Sequence, residues 1–215
     1  PSLIQIGNDI EASVAHNTDN SYVQMTQVFG IGTGLGGSVA TGPWYEGVVS
    51  APDSVTGAYR DLVWNRSAVG GPGNTTIHMV AVTSPSGLSG TPYNGMDGAL
   101  LYYRSQSGGD PWDIQDLQLP TLDTAYFTGF GGDSYAIDAH DSIVVIAYFN
   151  DWGDSFIMKS TDNGDTWNKT IFLDFPVDKY TMDSGIDLDG DLEMDMVYST
   201  DNSGAVMIDH VTGDA

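Results

Sequence analysis

Met158-Lys159-Ser160-Thr161-Asp162-Asn163-Gly164-Asp165-Thr166-Trp167 aligns without a gap on Tyr103-Arg104-Ser105-Gln106-Ser107-Gly108-Gly109-Asp110-Pro111-Trp112, 55 residues upstream. Each run passes from strand-like residues through a turn to a tryptophan. In the later copy the Asp162 carboxylate is placed to accept backbone N–H groups across the turn, and Gly164 is free to take φ > 0. Trp167 then starts a returning strand, with an indole large enough to fill the space between neighbouring sheets while its N–H finds a partner. The pattern builds a hairpin clip; it carries no catalytic chemistry of its own.

Working outward, the chain shows almost no helical period. Short runs rich in Val, Ile, Tyr and Thr recur between Gly, Asp, Asn and Ser clusters, which sets the class as all-β. Four runs share the character of one central strand, Tyr22–Phe29, Ile77–Thr83, Ile143–Phe149 and Glu193–Ser199, with starts 55, 66 and 50 residues apart. That spacing fits a β-propeller of four-stranded antiparallel blades better than a sandwich. With the hairpin as a ruler, one blade spans Tyr135–Ala139, Ile143–Phe149, Ser155–Ser160 and Thr166–Leu173. The blade before it spans Tyr59–Arg66, Ile77–Thr83, Ala99–Ser105 and Trp112–Leu119. In the last repeat Ser184–Leu188, Glu193–Ser199 and Ala205–Val211 supply three strands. Leu3–Ile6 precedes Ile10–His16, the first strand of the first repeat, and is placed to supply the missing fourth strand of the last.

The octapeptide 160–167 fits S-x-D-x-G-x-T-W in every defined position and so resembles the Asp box of BNR, or sialidase-like, propellers. The earlier copy keeps Ser105, Gly109 and Trp112 but has Ser107 where Asp is expected and Pro111 where Thr is expected. Ser38-Val39-Ala40-Thr41-Gly42-Pro43-Trp44 is a third, shorter copy. The resemblance covers nearly the whole chain and makes Ser160, Asp162, Gly164, Thr166 and Trp167 structural residues. Residues 1–215 are then one propeller domain of about four blades closed by Leu3–Ile6, or a segment of a larger propeller.

Charge limits the partners. Acidic residues number 29 against 6 basic ones, for a formal net charge of −23, and all the acids are Asp except Glu11, Glu46 and Glu193. Nucleic acid is a poor partner for such a surface. Asp favours turns and cation-binding loops, because it bonds its own nearby backbone; a halophilic or marine surface explains the same excess. No run is long and apolar enough for membrane insertion, and without cysteine there is no disulfide or thiolate site.

Asp187-Leu188-Asp189-Gly190-Asp191-Leu192-Glu193-Met194-Asp195 places carboxylates at relative positions 1, 3, 5 and 9. Hard oxygen ligands at this spacing suit calcium. The run resembles the calcium loops of FG-GAP propeller repeats, with Leu192 in place of the usual glycine, and the expected ligands are Asp187, Asp189, Asp191 and Asp195. The competing reading is a half-exposed strand in which Glu193 and Asp195 alternate with Met194 and Met196. Asp133, Asp138 and Asp141 form a looser cluster, read as turn chemistry.

Sialidase chemistry is not carried over. The chain has three arginines, Arg60, Arg66 and Arg104, no Arg-Ile-Pro, and no context for a tyrosine nucleophile. The arginines are expected to pair with aspartates. His16, His78, His140 and His210 fall in comparable positions of separate repeats with no H-E-x-x-H or G-x-S-x-G around them. Gly30–Gly37 is expected to be an inter-strand loop, since no Lys follows it. Sequons at Asn65, Asn74 and Asn168 agree with an extracellular setting. The sequence therefore predicts a non-catalytic, secreted or cell-surface propeller that binds a protein or glycan through a loop face, with calcium as a structural ion. The alternatives are a glycoside hydrolase and a structural subunit of a surface filament or layer that self-associates through a blade edge.

Overall fold

A computed structural model describes residues 2–7, 10–16, 26–33, 46–49, 52, 62–109, 111–181 and 185–215. Among these residues twelve strands form three antiparallel four-stranded sheets in chain order. The first sheet contains β1 (Ser2–Ile6), β2 (Ile10–His16), β3 (Thr26–Thr33) and β4 (Glu46–Val48). The second contains β5 (Leu62–Gly70), β6 (Thr76–Thr83), β7 (Leu100–Ser105) and β8 (Ile114–Gln118). The third contains β9 (Tyr135–His140), β10 (Ile143–Tyr148), β11 (Ser155–Ser160) and β12 (Asn168–Leu173). Among these residues no helix is long and apolar enough to cross a membrane.

The composition of the inner strands explains the order. β6, TIHMVAVT, is buried along its whole length, and β10, IVVIAY, is buried from Val144 onward. Such runs stand only between two paired neighbours, with both faces covered. β6 and β10 each have one on either side. The first strands of successive sheets lie beside one another, β1 with β5 and β5 with β9. One buried cluster runs through all three sheets, from Ile4 and Ile6 through Met79, Leu101 and Tyr102 to Val144, Ile146, Phe156 and Met158.

The turns between first and second strands tie the sheets in sequence. Gly7 N–H donates to the Asn74 carbonyl at 2.6 Å, and Gly71 N–H to the Asp141 carbonyl at 2.5 Å. Asn74 and Asp141 hold φ of 54° and 48°, in the left-handed region that Asn and Asp tolerate better than most residues. Trp64, at φ 52°, marks an irregularity between Val63 and Arg66 in β5; its carbonyl accepts the Tyr135 hydroxyl at 2.5 Å, joining β5 to β9.

The second and third sheets follow the expected blades, with strand ends shifted by a few residues. The first repeat is out of phase with expectation. Leu3–Ile6 pairs with β2 as the first strand of the first sheet and does not complete the last repeat. Tyr22–Phe29 is not a second strand: from Thr26 it belongs to β3, the third strand, and residues 22–25 lie outside the described residues. Second strands start at Ile10, Thr76 and Ile143, 66 and 67 residues apart, a more even repeat than the predicted one. An alternating apolar run identifies a strand but not its rank in a sheet. Gly30–Thr33 also lies in β3 rather than in a loop, while Gly34–Gly37 and Ser38–Trp44 fall outside the described residues.

The predicted fourth repeat is corrected as well: within 185–215 there is no strand, and Ser184 lies outside the described residues. Aspartates hold the 187–195 loop as a local turn, closed by the Asp195 N–H on the Ile186 carbonyl at 2.6 Å. Asp187 accepts the N–H groups of Gly190, Asp191 and Leu192, and Asp195 accepts that of Leu188. Local side-chain acceptors of this kind compete with sheet pairing. Further on, the segment is laid against the third sheet. The Thr200 hydroxyl donates to the Asn150 carbonyl at 2.8 Å, Ile208 N–H to the Asp138 carboxylate at 2.8 Å, and Lys159 Nζ to the Gly213 carbonyl at 2.6 Å.

Candidate functional site

Antiparallel pairing sorts the connections into two ends. The turns β9–β10 and β11–β12 lie at one end of the third sheet; the β10–β11 connection and the approach from β8 to β9 lie at the other.

At the first end, Ser160–Trp167 forms a closed turn. The Ser160 hydroxyl donates to Asp162 Oδ1 at 2.8 Å and accepts the Gly164 N–H at 2.8 Å. Asp162 accepts the Thr166 N–H at 2.8 Å and the Thr166 hydroxyl at 2.5 Å. These bonds, from the Thr166 side chain foremost, hold the Asp162 carboxyl down at about 2. Gly164, at φ 90°, lies against the second sheet, where a Cβ would collide with the Tyr102 hydroxyl. The Trp167 indole donates to the Gly164 carbonyl at 3.1 Å and meets the Tyr102 ring edge-on at 4.9 Å.

Tyr102 and His78, beneath this turn, are both buried, with 2.7 Å between the hydroxyl and Nδ1. Burial, reinforced by nearby Arg104, pulls the His78 imidazole down to about 4, so it is neutral near pH 7. Arg104, only 7% exposed at its side chain, reaches from β7 to the Asn163 carbonyl at 2.8 Å and Asp165 at 2.7 Å, and also pairs with Asp113 at 2.7 Å. Arg66 pairs with Asp133 at 3.2 Å. Arg60 and His16 contribute no described side chain. His140 stacks on His210 at 3.8 Å. This end is a seam between sheets, with the Ser105, Gly109 and Trp112 copy one sheet earlier, where Gly108, at the position of Asn163, lies beside Ile6 of β1.

The carboxylate loop brings together three of its four expected ligands. Oxygens of Asp187, Asp189 and Asp195 lie within 4.8 Å of one another, while Asp191 turns to the Glu193 N–H at 2.8 Å. Asp187 is held below the usual carboxylate range, chiefly by the Leu192 N–H. The three grouped acids are hard oxygen donors of the kind that suit calcium or magnesium.

The opposite end holds a cleft of about 350 Å³ that motif reasoning missed. Its walls come from 126–131 on the approach to β9, 148–154 around the β10–β11 connection and 177–180 beyond β12. Phe130 and Tyr148 form a buried floor, edge-on at 5.0 Å, and the Tyr148 hydroxyl accepts the Gly131 N–H at 3.1 Å. Burial pushes that phenol up to about 12, so it stays protonated. Half-buried Trp152 and Tyr180 stand at the wall, their rings 5.4 Å apart and backed by Phe175. Asp97, Asp151, Asp154 and Asp178 also line the cleft. Asp97 is fixed by the Ser86 N–H and hydroxyl, each at 2.6 Å, and Asp154 by the Phe175 N–H at 2.9 Å. A concave site with aromatic walls and a few convergent polar groups suits a small ligand with apolar faces and hydroxyl or amine edges. The available signal was aromatic residues interleaved with Asp, as in Phe149–Asp154, on connections that share one end of the sheets.

No family model matches the chain. An alignment 95 positions long, which covers 39% of this chain and 11% of the enzyme, is 35% identical to Xyloglucanase Xgh74A of Acetivibrio thermocellus. The chain thus matches about a tenth of that enzyme's length.

Proposed function

We propose that this chain is a carbohydrate-binding module built from Asp-box β-propeller blades, working outside the cell, with its glycan in the Trp152–Tyr180 cleft. The observation that carries the reading is that cleft: aromatic side chains and carboxylates converge at the end of the sheets away from the Ser160–Trp167 turn. The partial similarity to a xyloglucanase supports a polysaccharide as the ligand class. Binding is favoured over hydrolysis because Asp97, Asp151 and Asp154 each accept a backbone N–H that fixes them within the cleft walls, whereas a glycosidase needs a pair of carboxylates free to flank the scissile bond. Calcium at Asp187, Asp189 and Asp195 serves as a structural ion, screening acids that otherwise repel.

The test is calorimetric titration with xyloglucan and cello-oligosaccharides, with calcium and with chelator. Wild type is expected to bind, Trp152→Ala to lose at least tenfold in affinity, and no reducing ends to be released. Calcium is expected to raise the melting temperature of wild type but not of Asp187→Ala. Release of reducing ends that Trp152→Ala abolishes would favour the hydrolase, and absence of binding to any glycan would overturn the reading.

A further inference from the structure

The cleft has a charge that its aromatic walls do not require. Four carboxylates line it, from Asp97, Asp151, Asp154 and Asp178, against the ammonium of Lys179 and that of Lys169, which lies behind the wall over the Tyr126 and Phe127 rings. Lys179 Nζ donates to the Thr124 carbonyl at 2.5 Å. Asp151 and Asp154 are half-buried and bracket Trp152, so their field is less screened than that of the exposed aspartates elsewhere. Asp151 also accepts the backbone N–H of Trp152 at 3.1 Å, which fixes its carboxylate at the cleft wall that carries this tryptophan. An aromatic face next to fixed carboxylates attracts a cation twice, through the ring quadrupole and through direct pairing. A uronic or sialic acid would meet repulsion in the same place.

Resting on the glycan reading above, we infer that the cleft selects a cationic amino sugar, with the ring on Trp152 and the ammonium among Asp151, Asp154 and Asp178. The sugar's apolar face covers the indole, and its protonated amine replaces water beside the carboxylates. Acetylation of that amine removes the charge and keeps the ring, so N-acetylation is the natural discriminator.

The experiment titrates the protein with the tetrasaccharides of glucosamine, N-acetylglucosamine and glucose, at a pH where the free amine is protonated and at low and high salt. Glucosamine tetrasaccharide is expected to bind at least tenfold more tightly than either neutral one, with the difference shrinking at high salt. Asp151→Asn with Asp154→Asn keeps the acceptors for Trp152 and Phe175 and is expected to bring the charged ligand down to the neutral level. Trp152→Ala is expected to abolish binding of all three. Equal affinity for charged and neutral ligands, lost in Trp152→Ala, would overturn this inference and leave the glycan reading standing. Glucosamine binding that survives Trp152→Ala would reduce it to surface attraction by a chain of charge −23. No binding of any ligand would overturn both.

Discussion

Ser160–Trp167 and Ser105–Trp112 close the same turn with different bonds. In both, the serine hydroxyl accepts the N–H of the glycine four residues on, at 2.8 Å for Gly164 and 2.9 Å for Gly109. The two then diverge. Asp162 accepts the Thr166 N–H and hydroxyl; at the corresponding positions of the earlier turn stand Ser107 and Pro111. Proline has no N–H, so the carboxylate has no backbone donor there to satisfy. The two departures from the motif are therefore one matched change. A carboxylate returns just past the turn, where Asp113 accepts the Gln106 N–H and amide, each at 3.0 Å, and pairs with Arg104. The comparison teaches that the serine–glycine bond is common to both turns, while the Asp–Thr pair is one of several ways to hold the tip.

The largest expected effect comes from removing the tryptophans. Trp167→Ala empties the space against Tyr102 and is expected to cost about 3–5 kcal/mol, read by urea denaturation. Trp112, packed edge-on with Tyr103 of its own sheet at 6.3 Å, is also buried. A much smaller loss for Trp112→Ala would show that the complete turn alone holds a seam; similar losses would show that both do. Next in size is His78. Its folded value, about 4, lies below the 6.5 of the free side chain. As pH falls from 6.5 towards 4 the unfolded chain takes up a proton that the folded one refuses, so stability is full above 6.5, falls across that window and levels off below it. The gap corresponds to a loss on the order of 3 kcal/mol. Melting curves across this range should show the fall in wild type and lack this component in His78→Gln; an unchanged pH profile in the variant would place the proton uptake elsewhere.

The second and third sheets were legible strand by strand because each contains a hairpin that fixes which strand is third and which is fourth. The first sheet lacks that ruler, since Ser38–Trp44 is too short a copy to set a phase, and the even 66- and 67-residue spacing emerges only from the pairing itself. Glu193–Ser199 failed for another reason. Its alternation is genuine, with Leu192, Met194, Met196 and Tyr198 all at least 71% exposed on one parity, but an alternating run becomes a strand only when a neighbour covers its apolar side, and these side chains stay uncovered. The grouping of Asp187, Asp189 and Asp195 could be read from local spacing. The cleft left only the aromatic and Asp interleaving of Phe149–Asp154 as a signal, because its walls at 126–131, 148–154 and 177–180 meet only once β9 to β12 are paired, with Asp97 joining them from the second sheet.

The smallest effects separate the tips of the two turns. Asp162→Ala removes the acceptor of both Thr166 donors at an exposed site, so its melting temperature should fall by less than that of Trp167→Ala. The sign with pH is opposite to what a buried acid would give. Because the Asp162 value is depressed to about 2 from 3.8, its contribution is complete above 3.8 and fades as pH falls through 2. Wild type and Asp162→Ala should therefore differ at pH 6 and converge near pH 2. In the other turn, Ser107→Asp alone should gain nothing, since Pro111 offers no N–H, whereas Ser107→Asp with Pro111→Thr supplies donor and acceptor together and should raise the melting temperature. A gain from Ser107→Asp alone would mean that the carboxylate stabilises the turn through some donor other than residue 111, and the matched-change explanation would fall.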